Sequence, residues 1–227
     1  MKKNQDKKFE ESYFKGWYKN AVGNFNKKDL ELSINWFYAW LEKLNQYIPI
    51  EKGRGRKILE VGCSIGAVSH MLSKRGFDVW ATDISKYAVD KAKKLTPKAH
   101  FEVVDIQEKF KLKEKFDLVI SFEVVEHLKN PTLGIENMYA VMKKGGKMVL
   151  STPYPHKWNY NDPTHINLKT PDEWIRIMSE VGLTKVECHK FTLLPFFYRY
   201  NKKFQIILPF HMAIPYLNSP IFFIGTK

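Results

Sequence analysis

The sequence predicts an α/β fold built on a mostly parallel, seven-stranded sheet. Three observations point there. Seven short apolar runs recur along the chain, most of them followed by a segment with apolar residues at helical spacing. The early runs lie far enough apart for crossover helices, which implies right-handed connections, parallel neighbours and helices on both faces. The first run also closes on a glycine-rich turn, EVGCSIG at 60–66, that leads directly into a helical pattern.

The elements follow in order. Residues 29–48 carry Ile34, Phe37, Leu41, Leu44 and Ile48 on one helical face, with Asp29 as a cap and Pro49 as a stop. KILEVGC (57–63) reads as a buried strand, and AVSHMLSKR as a helix stopped by Gly76. DVWATDI (78–84) is a second strand, and Ser85 caps the helix KYAVDKAKKL. AHFEVVD (99–105) and FDLVISF (116–122) are the third and fourth strands, followed by a helix from about residue 132 to 144. GKMVLSTP (146–153) is the fifth. TPDEWIRIMSEVG (170–182) is a helix with capping-box spacing between Thr170 and Glu173, Pro171 at its first position and Gly182 at its end. TKVECHKF (184–191) and IFFIGTK (221–227) are the last two strands. An insertion, 192–220, lies between them.

At 227 residues the chain is long enough for one ordinary core, and a single domain spanning 1–227 is expected. A hydrophobic content of 44% with 15% aromatics excludes a disordered chain. Cys63 and Cys188 form no ligand or disulfide pattern and read as reduced thiols of a cytoplasmic protein. The basic start MKKNQDKKFEES has no apolar segment behind it, so it does not read as a signal peptide. No run is long and apolar enough for a membrane span. The net charge of +13 suits an anionic partner, or lysines scattered over solvated faces. No nucleic-acid-binding signature accompanies it.

The turn at 60–66 does not fit a dinucleotide-binding fingerprint. In the register of Gly62 the middle glycine, which lets backbone approach a pyrophosphate, is replaced by Ser64. The turn reads instead as E-x-G-x-S-x-G, with Gly62 and Gly66 letting backbone N–H groups face a ligand. Acids end the neighbouring strands: Asp83 the second and Asp105 the third, with Glu123 directly after the fourth. Any one of these can be a helix cap. Together they form an acidic rim, poor for a phosphate and good for a nucleoside with a cationic centre. Asp83 lies about twenty residues past the first glycine, where a carboxylate can accept from ribose hydroxyls.

The motifs ILEVGCSIG, ATDIS, VVDIQ and FDLVISFEVVEHL, in this order and spacing, resemble those of class I S-adenosylmethionine-dependent methyltransferases. The resemblance spans roughly residues 55–192 and extends to the last strand. The nearest group includes ubiquinone-pathway O-methyltransferases and natural-product and sugar methyltransferases. It implies a Rossmann-like, doubly wound sheet with an antiparallel last strand, and S-adenosylmethionine as cofactor. It implies that Glu60, Gly62, Cys63, Ser64 and Gly66 line the methionine end. It assigns Asp83 to the ribose, Ile84 to the adenine, and Asp105 and Ile106 to the adenine's other side. Glu123 is placed near the reacting end. The family usually has glycine where Ser64 stands. Serine fits if φ there is negative, which predicts altered loop contacts rather than lost binding.

The implied reaction moves a methyl group by in-line displacement to a small-molecule, lipid-linked or sugar-linked acceptor. Alignment supplies much of the rate, and a base is needed where the acceptor is a hydroxyl. His127 and His165 are the candidate catalytic residues. His127 is either a functional group on the rim or a structural contact at a helix start. His165, in DPTHIN with Asp162 nearby, is either a general base or a residue ordering its loop. The set His156, Asp162 and His165 matches no metal spacing, so no metal site is expected. Tyr13, Phe14 and Trp17, in a helical lid segment at 1–50, are candidates to cover a sulfonium by cation–π contact, or form a docking patch.

The insertion alternates Phe196, Phe197, Tyr198, Tyr200, Phe204 and Phe210 with Arg199, Lys202 and Lys203, and no acid occurs from Cys188 onward. Four readings stand: peripheral contact with an anionic membrane, a substrate lid, a homodimer contact, or the core of an extra subdomain. Three other functions compete with the methyltransferase. RNA methylation suits the charge, but strand four ends in SFEVVEH rather than an N-P-P-Y type motif. A nicotinamide dehydrogenase is disfavoured by the turn, and a non-catalytic binding protein by the retained acids.

Overall fold

The computed structural model describes residues 27–108, 112–194, 198–214 and 220–227. Its contacts group into two compact units that interleave along the chain. Of the described residues, 27–56, 62–105 and 198–205 belong to the first, and 57–61, 106–194 and 206–227 to the second. The helices are α1 (Lys27–Asn45), α2 (Ala67–Lys74), α3 (Lys86–Leu95), α4 (Pro131–Ala140) and α5 (Pro171–Glu180). The strands are β1 (Lys57–Val61), β2 (Asp78–Asp83), β3 (His100–Val103), β4 (Phe116–Phe122), β5 (Met142–Pro153), β6 (Thr184–Lys190), β7 (Thr192–Leu194), β8 (Ile206–Leu208) and β9 (Pro220–Thr226).

Seven strands form one sheet in the order β3-β2-β1-β4-β5-β9-β6. β1 with β4, β2 with β3, and β4 with β5 are parallel, while β9 runs antiparallel to both β5 and β6. This is the predicted Rossmann-like α/β sheet with its antiparallel last strand. The strand order reverses at β1 and β4, and in such sheets ligands bind beyond the carboxyl ends at the reversal.

In the first unit, Cys63, Ala81, Val89, Ala92 and Phe101 form a buried cluster. Leu30 of α1 joins Ile65, Ala67 and Ala88 in another. Ser85 caps α3 as predicted, its hydroxyl accepting from the Ala88 N–H at 3.2 Å. α1 departs from its predicted limits. It begins at Lys27, so Asp29 lies within it rather than capping it. It ends at Asn45, whose side-chain oxygen accepts from the Ile50 N–H at 2.8 Å and turns the chain before Pro49 acts.

In the second unit β4 is buried along almost its whole length, as its unbroken apolar run predicts. The capping box at Thr170 and Glu173 is formed, and Gly182 ends the turn after α5 at φ 111°. The helix predicted to reach residue 144 stops at Ala140, because β5 starts at Met142 rather than 146. Phe116 pairs with Met142, and the register then shifts before Leu118 pairs with Lys147. Gly145, at φ 76°, lies in the irregular stretch, so KKGGK is a bulge inside a strand and not the junction of a helix with a strand. β3 ends at Val103, leaving Asp105 beyond it. Two short strands of the insertion, β7 and β8, pair antiparallel, which the sequence did not reveal. The lid residues Tyr13, Phe14 and Trp17, like Phe196 and Phe197, lie outside the described residues.

Candidate functional site

The glycine turn belongs to the first unit, and its N–H groups are engaged by the protein itself. Gly62 and Cys63 both donate to the Thr82 carbonyl, at 2.7 and 2.9 Å, and Gly66 donates to Cys63 O at 2.8 Å. The Ser64 N–H donates to Asp83 Oδ2 at 2.8 Å. The expectation that this turn holds its donors out for a ligand is therefore corrected at these four positions. A pyrophosphate cradle needs those donors free. The side chain of Cys63 points into the buried cluster, leaving only its backbone for the turn's surface. Gly66 is required twice over. Its φ is +81°, and a Cβ there would come within 3.1 Å of the Phe101 ring and 3.2 Å of Ala92.

Ser64 sits at φ +48°, in the left-handed region. The negative φ that would suit serine is not what the chain adopts, so the residue is strained. What holds it is the bond to Asp83, which is buried at the end of β2 and also accepts from the Ser85 N–H through Oδ1 at 2.9 Å. A carboxylate has about four acceptor positions. Asp83 thus joins turn, strand and the start of α3. Ile84 beside it is partly exposed, as is Asp105.

The second unit carries the other acids and both histidines. Glu60 is buried near the end of β1, opposite Ile120. Ile106 is buried and its carbonyl accepts from Asn137 Nδ2 at 2.7 Å. Glu123 follows β4 at φ 55°, a second strained non-glycine residue. Its N–H donates to Ser151 O and Oγ, both at 3.1 Å, and the Ser151 hydroxyl donates back to Oε1 at 3.0 Å. Burial pushes the Glu123 carboxyl up to about 7, against the pull of that hydroxyl. Three residues on, Glu126 is fully buried, and neither carboxyl oxygen has a hydrogen-bond partner among the described residues. Burial first, and the neighbouring Glu123 second, raise it well above the usual carboxylate range; the nearby Thr152 hydroxyl opposes this.

The DPTHIN loop folds back onto this turn. Asn167 donates to the Glu126 carbonyl at 2.9 Å through its N–H and to the Leu128 carbonyl at 2.5 Å through its side chain. Asp162 Oδ1 accepts from the Thr164 N–H and hydroxyl, at 2.8 and 2.6 Å. Burial pushes Asp162 up, but the Thr164 bonds together with His165 and His127 outweigh it and hold the carboxyl below its ordinary value. His127 Nδ1 lies 3.0 Å from Thr164 O, and His165 Nδ1 lies 2.8 Å from Asn159 O. A carbonyl only accepts, so each Nδ1 carries the proton, and in the neutral ring Nε2 is the acceptor. The rings stand 5.0 Å apart. His127 Nε2 is 3.9 Å from Glu126 Oε1, and His165 Nε2 is 3.8 Å from Asp162 Oδ2.

The two candidate histidines, His127 and His165, are thus brought together with Glu126. EVVEH carried the signal for Glu126, an acid three residues after Glu123 and adjacent to His127. Glu126, His127 and His165 each offer one ligand atom, all within 4.8 Å of one another. They can hold a divalent ion, and imidazoles bound to metals are generally oriented by a carbonyl at the other nitrogen, as both are here. This differs from the set weighed on spacing. His156 instead joins a row of rings with Tyr154, Trp158 and His211, its Nε2 2.7 Å from that of His211.

A family model described as a methyltransferase domain matches residues 34–188. The chain belongs to this methyltransferase family. It is 33% identical over 116 residues to a ubiquinone biosynthesis O-methyltransferase of Coxiella burnetii, covering 49% of this chain and 48% of that one. It is 35% identical over 104 residues to the mitochondrial ubiquinone biosynthesis O-methyltransferase of Schizosaccharomyces pombe, covering 43% and 38%. The chain thus spans about half or less of the length of these relatives. Among solved structures, magnesium protoporphyrin IX methyltransferase of Synechocystis PCC 6803, with bound SAH, is similar with a TM-score of 0.68 at 14% identity, over 98% of this chain and 97% of that one. A SAM-dependent methyltransferase of Archaeoglobus fulgidus gives 0.66 at 19%, over 95% and 100%. At those identities the likeness is one of fold. It agrees with the sheet order described above and with the resemblance carried by the motifs.

Proposed function

We propose that this methyltransferase-family chain transfers the methyl group of S-adenosylmethionine to a hydroxyl of a small-molecule, lipid-linked or sugar-linked acceptor. The observation that carries the reading is Asp83, a buried carboxylate at the end of β2 that orders the glycine turn through the Ser64 N–H. With the turn's donors engaged internally, the region suits a nucleoside without phosphates better than a dinucleotide. Asp83 is assigned to the ribose, Ile84 and Asp105 to the adenine. In the second unit Ile106 is assigned to the adenine's other side, and Glu60 and Glu123 to the methionine end. Gly62, the Cys63 backbone, Ser64 and Gly66 shape the turn.

Bound S-adenosylmethionine supplies an activated methyl group, so the chain's own work is to align the acceptor, exclude water and take a proton. His165 is assigned as the base. Its Nδ1–H is held by Asn159 O, which leaves Nε2 to accept the acceptor's proton. His127 is held in the same tautomer beside it. That two curated relatives are named O-methyltransferases supports oxygen as the acceptor atom.

A panel of phenolic, sugar and isoprenoid hydroxyl compounds, with product detected by mass spectrometry, tests this. With a working acceptor, His165→Gln lowers kcat by about 10²–10⁴-fold and leaves cofactor affinity unchanged. An unchanged kcat contradicts the base assignment. A second reading rests on Glu126, whose carboxyl oxygens have no hydrogen-bond partner among the described residues: with His127 and His165 it would hold a divalent ion, which would supply Lewis-acid polarisation of the acceptor hydroxyl. Chelation with EDTA then abolishes transfer, and added divalent cation restores it. Of the partners left open by the sequence, membrane contact through the insertion is the one its exposed residues favour.

A further inference from the structure

Residues 198–205 form a turn fastened to α1 within the first unit. The Tyr198 ring meets Trp36 edge-on, with centroids 5.2 Å apart. Lys202 Nζ lies 4.8 Å from the centre of the Tyr38 ring, and the Gln205 side chain donates to the Asn35 carbonyl. Inside the turn, Asn201 accepts the Lys203 N–H at 2.9 Å through its side chain and the Phe204 N–H at 3.0 Å through its carbonyl. The base of the turn is therefore held while its tip faces outward. Tyr200 is 83% exposed and Phe204 56%.

Large exposed apolar side chains on a held turn mark a surface that meets a partner. The charge around them says which kind. Arg199, Lys202 and Lys203 lie within the same few residues, and no Asp or Glu occurs from Cys188 to Lys227. Further along the chain Ile206, Phe210 and Ile214 are exposed as well. Aromatic rings sit well at headgroup depth, and cations there face lipid phosphates, each strengthening partition to an anionic surface about fivefold. Single-stranded RNA also prefers aromatics among cations, by stacking its bases on rings. A stacking platform presents successive rings, but Tyr198 is turned onto Trp36, whereas two exposed rings beside cations suffice at headgroup depth. No helix among the described residues is long and apolar enough to cross a membrane.

We propose that the turn at 198–205 docks this protein on an anionic lipid surface. Tyr200 and Phe204 enter the headgroup layer, and Arg199 and Lys203 face the phosphates, while Lys202 stays over the Tyr38 ring at the base of the turn. The docking stands without the methyl-transfer reading. Its consequence for the acceptor rests on that reading and selects, among the proposed acceptors, the lipid-linked class.

Flotation of the full chain with vesicles tests the docking. Vesicles of phosphatidylcholine alone are compared with vesicles containing phosphatidylglycerol, at low and high salt. The protein floats with the anionic vesicles, and salt weakens this. Y200S/F204S and, separately, R199E/K203E lower the partition constant about tenfold or more. Both variants keep the thermal shift given by S-adenosylhomocysteine, which shows that they fold. Absence of flotation, equal flotation with neutral vesicles, variants that float like the wild type, or retention on polyuridylate stronger than on vesicles would each overturn the proposal. Wild type that floats but shows no shift with S-adenosylhomocysteine leaves the docking standing and removes the methyl-transfer reading.

Discussion

At the scale of single residues, the unusual groups are the two carboxylates after β4. Glu123 is strained at φ 55° and raised to about 7, against an ordinary 4.5. A carboxyl that keeps its proton to about 7 when folded, but only to 4.5 when unfolded, makes the folded chain bind more protons between those values. Stability then falls as pH rises through that window and levels off above it. The drop is on the order of 3 kcal/mol for a shift of this size. Glu123→Gln removes that ionisation, so its unfolding free energy, measured by urea titration across pH 4 to 8, follows a flatter curve than wild type. An equally steep curve would assign the slope to Glu126 alone. None of this was legible in the sequence. EVVEH shows two acids beside a histidine, but burial decides their protonation, and burial comes from β5 and the DPTHIN loop, far along the chain.

At the scale of elements, the glycine turn shows where pattern reading succeeds and where it stops. That it would replace a dinucleotide loop was legible from Ser64 standing where the middle glycine belongs. The conformation of Ser64 was not, because φ there is set by the bond to Asp83, a residue on another strand. The chain accepts left-handed serine to keep that N–H on the carboxylate. Ser64→Gly should therefore raise the unfolding free energy by about 0.5–1 kcal/mol, the relief of strain being partly offset by glycine's greater entropy when unfolded. The Asp83 contact survives, because it uses the backbone N–H. A destabilised variant, seen in the midpoint of chemical unfolding, would mean that the Ser64 side chain matters more than its backbone. Where elements meet within one strand the sequence misleads differently. The sequence divides KKGGK between the end of a helix and the start of a strand, and only the pairing of Phe116 with Met142 makes it a bulge.

At the scale of the whole molecule, the seven strands of the main sheet and their order of alternation with helices were legible, because they depend on apolar runs and turn residues close together in sequence. The antiparallel last strand followed only from the family resemblance. The short pair β7 and β8 was not legible, because three-residue strands carry almost no periodicity, and their partner residues are separated by the exposed turn at 198–205. The acidic strand ends were legible as a set, which is why the family resemblance could be stated from motifs alone. The grouping of Glu126 with His127 and His165 was not, since it depends on how the loop after β5 returns to the end of β4.

Under the proposed function, Asp83 and the turn it orders serve an S-adenosyl nucleoside. Calorimetric titration of the wild type and of Asp83→Ala with S-adenosylmethionine and S-adenosylhomocysteine tests it most directly. Both ligands bind the wild type, and the variant loses at least about tenfold in affinity, the scale of a lost charge-assisted hydrogen bond. Failure of the folded wild type to bind either ligand would contradict it.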